Sequence, residues 1–340
     1  MLRALEGGRL AMGMARAMLI ERHRPLMANF IVIRRCNLSC SYCVEYDDVS
    51  APIPLAVLEE RLDHLARLRT LMVSLTGGEV LLHPDLVAVV RAVRARGMIA
   101  AVSTNGFLLS RSWIESFNDA GVFAMQVSVD GTTPNEVTQK TLKTMRPKLE
   151  LLARHARFRV RINTVLGAAP PEEALEVVRA VVGLGLEAKC SLLREKDGRI
   201  AQFDDRTREL YRTIAEVEGR QSALFDEVFQ DAMLRDGRLD WKCRAGSRFF
   251  HVDEHGKVDL CAPRIGSPGK PLAEYTDADL REAFDAPKSC APKCPVAYAH
   301  QLSRFDSFRP QSGPEYPIDG PKPAAGASSG RTVRLPLINA

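Results

Sequence analysis

The chain has 340 residues, 46% of them hydrophobic, and a formal net charge of +5, which is long enough for one large α/β domain with a small appendage. That charge is small for the length and is not gathered into a run of Lys or Arg, so a nucleic-acid partner is not expected. No window of roughly 18 uncharged apolar residues occurs, which excludes a transmembrane helix, and eight cysteines in a chain without a secretory signal point to metal ligands in a reducing, cytoplasmic compartment.

Residues 1–27 read as a helical extension, methionine-rich and interrupted by Arg3, Arg9, Arg16, Glu21 and Arg22. Met12 to Ile20 has the pattern of an amphipathic helix, expected to pack on the domain rather than rest on a membrane. From Phe30 onward, strand-like and helix-like runs alternate. Phe30-Ile31-Val32-Ile33 is a buried strand, and the loop after it carries Cys36, Cys40 and Cys43 within eight residues. Three soft ligands this close suit an iron–sulfur cluster or zinc, and a three-ligand site keeps one metal position open for chemistry.

Leu55, Leu58, Leu62, Leu65 and Leu68 form a helical stripe after Pro54, and Leu71 to Leu75 is a strand ending in Thr76-Gly77-Gly78-Glu79. A helix from Pro84 stops at Gly97, and the strand Met98 to Val102 ends in Ser103-Thr104-Asn105-Gly106. A helix around Trp113 to Ala120 is followed by the strand Phe123 to Val129, closing in Ser128-Val129-Asp130-Gly131. The next helical region holds Pro147, which is expected to divide it in two. Phe158 to Leu166 is a strand, Pro170 to Val182 a helix and Leu186 to Leu193 a sixth strand. Six β-then-α units in series predict a parallel sheet with right-handed crossovers. A doubly wound sheet and an incomplete barrel both fit, and in either the loops at the strand C-terminal ends carry the chemistry. Asn163 sits on the inward pattern of the fifth strand, and Arg194 and Glu195 follow the sixth, where they can face a substrate.

Thr207 to Leu234 reads as a helical connector. After Trp241 the chain turns to short strands and turns holding Cys243, Cys261, Cys290 and Cys294, four thiols that suit a cluster or a zinc ribbon. Cys190 lies apart in the sixth strand as a buried structural thiol. From Pro310 the composition is Pro, Gly, Ala and Ser, expected to be a flexible tail over 310–340.

The C-x3-C-x2-C loop with Tyr42 before its last cysteine resembles the radical S-adenosylmethionine (SAM) superfamily, and the later segments are similar to its SPASM and Twitch branches. The resemblance covers about residues 28–298. It implies a partial (β/α)6 barrel over 28–235 and a small Twitch/SPASM-like auxiliary-cluster domain over 236–309. It implies that Cys36, Cys40 and Cys43 hold a [4Fe–4S] cluster whose fourth iron chelates SAM. Gly77-Gly78-Glu79 resembles the motif that meets the SAM amino group. Ser103 and Asn105 lie in a TNG-like segment near SAM, Ser128 in an S-[ILV]-D-G segment that contacts it, and Tyr42 and Leu193 border the adenine. Where those branches have an Arg that contacts the SAM carboxylate, this chain has Lys140, and the surrounding H-D-x-x-R text is absent; a lysine supplies charge without the bidentate fork. Cys243, twelve residues, Gly256, four residues and Cys261 match the Twitch and SPASM signature. With Cys290 and Cys294 they imply one second, auxiliary [4Fe–4S] cluster.

The resemblance implies an enzyme that reductively cleaves SAM to a 5′-deoxyadenosyl radical and abstracts hydrogen, with a flavodoxin- or ferredoxin-type electron donor. A small biosynthetic intermediate is the expected substrate, undergoing oxidation or rearrangement. That expectation rests on the single auxiliary cysteine set and on the short segment before the first strand, where peptide maturases often carry a leader-binding domain. A peptide or protein substrate is the alternative, and a non-catalytic iron–sulfur sensor is the remote one.

Overall fold

The computed structural model describes residues 2–43, 46–194, 200, 203–219 and 229–316. Six parallel strands are laid down by repeated strand–helix units: β1 (Met27–Ile33), α2 (Leu55–Arg67), β2 (Met72–Gly77), α3 (Leu86–Ala95), β3 (Ile99–Thr104), α4 (Arg111–Ala120), β4 (Ala124–Ser128), α5 (Leu142–His155), β5 (Arg159–Leu166), α6 (Pro171–Gly183) and β6 (Glu187–Leu192). Each strand pairs in parallel with the next, β1 to β6 in order. This is the laterally open α/β arrangement expected of a partial barrel.

The two faces of these strands differ, and that difference places the site. Ala28, Phe30, Val73, Leu75, Ala100, Val102, Met125, Val127, Val160, Ile162, Ala188 and Cys190 are buried on one face in a single core with Leu58, Leu62, Val89, Val93, Ile114, Phe117, Leu149 and Val178 of the helices. The opposite face is polar. Ser103 lies across from Gln126, Gln126 from Arg161 and Arg161 from Glu187, while Ser128 lies across from Asn163 and Asn163 from Lys189. Gln126 and Arg161 are exposed although they sit mid-strand in β4 and β5, neither of them an edge strand. Strands of a parallel sheet are normally covered on both faces, so this polar face is left open to a ligand.

The N-terminal helix α1 (Leu2–Leu19) packs under the sheet. Its Ala17 is buried in a cluster with Leu26, Leu71, Ile99 and Phe123, which lie at the strand N-terminal ends. Glu6 receives both guanidinium arms of Arg94, at 2.6 and 2.7 Å, and Arg9 Nη2 donates to Gly97 O at 2.6 Å. Met12, Leu19 and Ile20 remain exposed, and among the described residues no helix is long and apolar enough to cross a membrane.

Pro147 does not divide its helix. The segment before Leu142 is a loop, and α5 runs unbroken through the proline. Pro147 and Lys143, the residue one turn earlier whose carbonyl loses its donor, both lie on the exposed side, where water replaces the missing bond.

Beyond α7 (Asp205–Glu218) and a helical segment over 229–236, the chain returns to the same sheet. β7 (Phe249–Val252) pairs in parallel with β1, and β8 (Lys257–Asp259) and β9 (Pro268–Pro271) extend it antiparallel. The sheet therefore crosses the boundary that the resemblance implied near residue 235, and its order is β6-β5-β4-β3-β2-β1-β7-β8-β9. Helices α8 (Asp277–Asp285) and α9 (Ala297–Arg304) follow. Arg248 fastens this part down: its guanidinium donates to Asp306 Oδ2 at 2.7 Å and to Ala17 O at 2.7 Å, with both charged side chains fully buried.

Candidate functional site

The cysteine loop leaves β1 at the C-terminal edge of the sheet and is held there by three neighbouring strand ends. Next to β1, Gly78 N donates to Ile33 O and Glu79 N to Arg35 O, both at 2.9 Å. The crossing is so tight that a Cβ on Gly77 would lie 1.9 Å from Ile33 O, and one on Gly78 would lie 2.2 Å from Arg34 O. Gly77 also has φ +152°. Glycine is required at both positions because the start of the cysteine loop passes directly over them.

Glu79 is fully buried, and its carboxylate ties β2 to β3. Oε1 accepts from Leu81 N at 2.9 Å and from Thr104 Oγ1 at 2.5 Å, and Oε2 accepts from Asn105 N at 2.7 Å. Burial raises its pKa, against these donors and the charge of Lys140. Asn105 in turn reaches the cysteine loop: Nδ2 donates to Asn37 Oδ1 at 2.8 Å and lies 3.7 Å from Cys36 Sγ. Leu38 N donates to the same sulfur at 3.4 Å.

The third anchor comes from β4. Asp130 Oδ2 accepts from Tyr42 Oη at 2.6 Å and from Thr138 Oγ1 at 2.9 Å, and pairs with Lys140 Nζ at 3.1 Å. Lys140 also donates to the Tyr42 hydroxyl and sits 4.9 Å from its ring centre. Lys140 is thus buried and directed at Asp130 and Tyr42. Burial alone would lower its pKa; Asp130 outweighs that and holds the ammonium above its ordinary value. Asp130 had no role assigned from sequence. The available signal was its position at a strand end, beside Gly131 and opposite the cysteine loop.

Cys40 and Cys43 lie close enough to Cys36 for their charges to act on its thiol. Burial, then the charges of Glu79, Cys43 and Cys40, push Cys36 up to about 12. Thiols in this setting become thiolates only beside a cation, which is the chemistry of a metal or cluster ligand set. Ser103 and Ser128 lie at the ends of β3 and β4 on the polar face, and Ser191 Oγ donates to Asn163 Oδ1 at 2.6 Å on the same face. Leu193 follows β6, half-buried, with its N–H donating to Leu166 O at 2.9 Å. Arg194 follows it, and Glu195 lies outside the described residues.

The second thiol set also converges. Cys243 and Cys261 are buried with Met27, Phe249, Leu260 and Ala291, and Cys290 and Cys294 flank the turn Ala291–Lys293. Burial pushes Cys243 up to about 11 and Cys294 up to about 12, with neighbouring thiols adding to the rise. Arg194 opposes it at Cys261 and Cys294, which brings the end of β6 beside this set. Cys190 is buried in the strand core, apart from both sets, and among the described residues no cysteine forms a disulfide. Among the described residues no three His, Cys, Asp or Glu side chains close to single-ion distances. A cluster of four irons spaces its thiolates more widely than one ion does.

The family model of the radical SAM superfamily matches residues 30–193. The PqqA peptide cyclase of Rhodopseudomonas palustris is 32% identical over 263 residues, covering 70% of this chain and 67% of that protein. The AdoMet-dependent heme synthase of Methanosarcina barkeri is 26% identical over 197 residues, 55% of this chain, and the match spans only 56% of that protein. In three dimensions the crystal structure of Streptococcus suis SuiB superposes with a TM-score of 0.61 at 17% identity, covering 78% of this chain and 70% of that one. At that identity the likeness is one of fold.

Proposed function

This chain belongs to the radical SAM superfamily, and we propose that it is a peptide-modifying member. Membership makes it an enzyme whose cofactors are a [4Fe–4S] cluster and SAM. When bound, they supply a carbon-centred radical able to take hydrogen from an unactivated C–H bond.

Cys36, Cys40 and Cys43 are the proposed cluster ligands. Asn105 and the Leu38 N–H supply polar contacts to Cys36 Sγ, and such contacts tune a cluster. Gly77 and Gly78 let the loop and the strand ends approach closely. Glu79 holds Asn105 in place, and Asp130 with Lys140 sets the ring of Tyr42. Ser103, Ser128 and Leu193 are the proposed remaining walls of the SAM pocket. Lys140 acts on SAM through Tyr42 in this reading, rather than by reaching its carboxylate. Cys243, Cys261, Cys290 and Cys294 are the proposed ligands of an auxiliary [4Fe–4S] cluster. A flavodoxin- or ferredoxin-type protein is the proposed electron donor, and the cytoplasm the proposed compartment.

The substrate reading is carried by the open polar face of β3 to β6. Gln126, Ser128, Asn163 and Arg161 offer donors and acceptors along an extended surface that suits the amides of a peptide. The names of the relatives support it: one is a peptide cyclase, and SuiB has been crystallised with a precursor peptide. A small biosynthetic intermediate is the second reading, favoured by a single auxiliary set of four cysteines and by the heme synthase relative.

The deciding experiment reconstitutes the protein anaerobically, with and without Cys36→Ala, Cys40→Ala and Cys43→Ala together. About eight irons in the parent and about four in the variant, with 5′-deoxyadenosine formed only by the parent, are expected. About four irons in the parent and none in the variant, with zinc in both, would turn the second set into a zinc ribbon. For the substrate, short peptides encoded in the neighbourhood of its gene are synthesised, incubated with the parent and weighed by mass spectrometry. A mass change that requires SAM and reductant is expected; an unchanged peptide would return the reading to small molecules.

A further inference from the structure

Lys288 is a buried ammonium without a carboxylate. It is 4% exposed, and among the described residues no Asp or Glu forms an ion pair with it. Its Nζ donates to Ala283 O and, at 2.9 Å, to Ala286 O, and the Tyr316 ring centre lies 5.6 Å away. Carbonyls at the end of α8 carry only the partial negative charge of a helix terminus. An ammonium taken out of water without a full counter-charge costs several kcal/mol, so the position of Lys288 calls for an anion.

The nearest source of one is the second thiol set. Ala286 O, which Lys288 binds, also accepts from Gln311 Nε2 at 3.0 Å, and the same Gln311 amide donates to Cys243 O at 3.0 Å. On the other side Ala291 N donates to Lys288 O at 3.0 Å, which fixes Lys288 against the turn that carries Cys290 and Cys294. Cys290 itself lies two residues along the chain from Lys288.

We propose that Lys288 is the built-in counter-ion of the auxiliary cluster and raises its reduction potential. The inference rests on reading Cys243, Cys261, Cys290 and Cys294 as cluster ligands. A cluster on four thiolates is anionic, and adding an electron makes it more so. A fixed cation nearby favours the reduced form by its charge alone. The potential in turn decides whether the cluster can take an electron from a substrate-derived radical.

The test uses the full chain with Cys36, Cys40 and Cys43 changed to Ala, so that only the auxiliary cluster is read. The protein is reconstituted, its iron counted, and its potential measured by redox titration followed by electron paramagnetic resonance. Lys288→Met is expected to shift the reduced-to-oxidised ratio at a given potential at least tenfold toward oxidised, which is 59 mV for one electron. Lys288→Arg is expected to stay with the parent. Equal potentials in all three proteins would overturn the proposal. If Lys288→Met takes up no iron, Lys288→Arg decides: uptake supports a requirement for charge, and failure there too shows that shape, not charge, matters and overturns it. A parent that binds zinc and gives no resonance signal would instead remove the cluster reading itself.

Discussion

Lys140→Met is the substitution that most sharply tests how the cysteine loop is held. It removes the ammonium 3.1 Å from Asp130 Oδ2, where the two side chains are 11% and 0% exposed. Removing one partner of a buried pair costs about 3–5 kcal/mol, because the other charge stays buried and uncompensated. The hydroxyls of Tyr42 and Thr138 still donate to Asp130, which places the expected loss at the low end, about 3 kcal/mol or roughly 150-fold in the folding equilibrium. Asp130→Asn added to Lys140→Met removes the stranded charge, so the double variant is expected to lose less than the sum of the singles. The assay is urea unfolding of the metal-free protein followed by the fluorescence of Trp113 and Trp241. In the reconstituted protein the same variant should hold less iron, since Tyr42 loses an anchor one residue from Cys43. A loss below about 0.5 kcal/mol, the range of an ordinary surface substitution, would refute the argument.

Gly78→Ala places a methyl group 2.2 and 2.4 Å from the carbonyls of Arg34 and Arg35. It is expected to displace the cysteine loop and remove about half the bound iron, whereas Gly8→Ala, with nothing within 4 Å, should leave iron content unchanged. Iron counts that match between the two would show that the crossing over Gly78 is not needed for the loop. The docking of α1 is expected to weaken in acid. Burial acts to raise the Glu6 pKa, but Arg94 and Arg9 outweigh it and hold the value below 4.5. The contribution is therefore whole above 4.5 and fades as pH falls through the lower folded value. Hydrogen exchange in α1 should quicken over that window in the parent and vary less in Glu6→Gln. Parallel pH profiles would set the idea aside.

The local chemistry was readable along the chain because it is written in consecutive residues. The thiols of Cys36, Cys40 and Cys43 follow an apolar strand, and the glycines of Gly77-Gly78 and the Ser128 segment each close another strand. Alternation of β and α runs was enough to give a parallel order, since right-handed crossovers leave few other arrangements. The reach of Pro147 was misjudged for a simple reason: whether a proline breaks a helix depends on which side faces water, and that is a tertiary fact.

What only the packed structure decided is how these pieces meet. Sequence placed Glu79 beside a ligand, and folding turned its carboxylate onto Thr104 and Asn105. Sequence set Lys140 where the resembling branches have an Arg that contacts SAM, and folding buried it on Asp130 and Tyr42. Neither outcome is local, because Glu79 and Thr104 are 25 residues apart and Lys140 and Tyr42 are 98 apart, and their alignment depends on strand register. The return of β7 to the edge of β1 was equally invisible, since four residues in an extended run do not say which sheet edge they join. The sequence by itself determined where the thiols, glycines and polar groups stand relative to the strand ends; the register of the sheet decided which of them touch, because distances between strands are set by pairing and not by position in the chain.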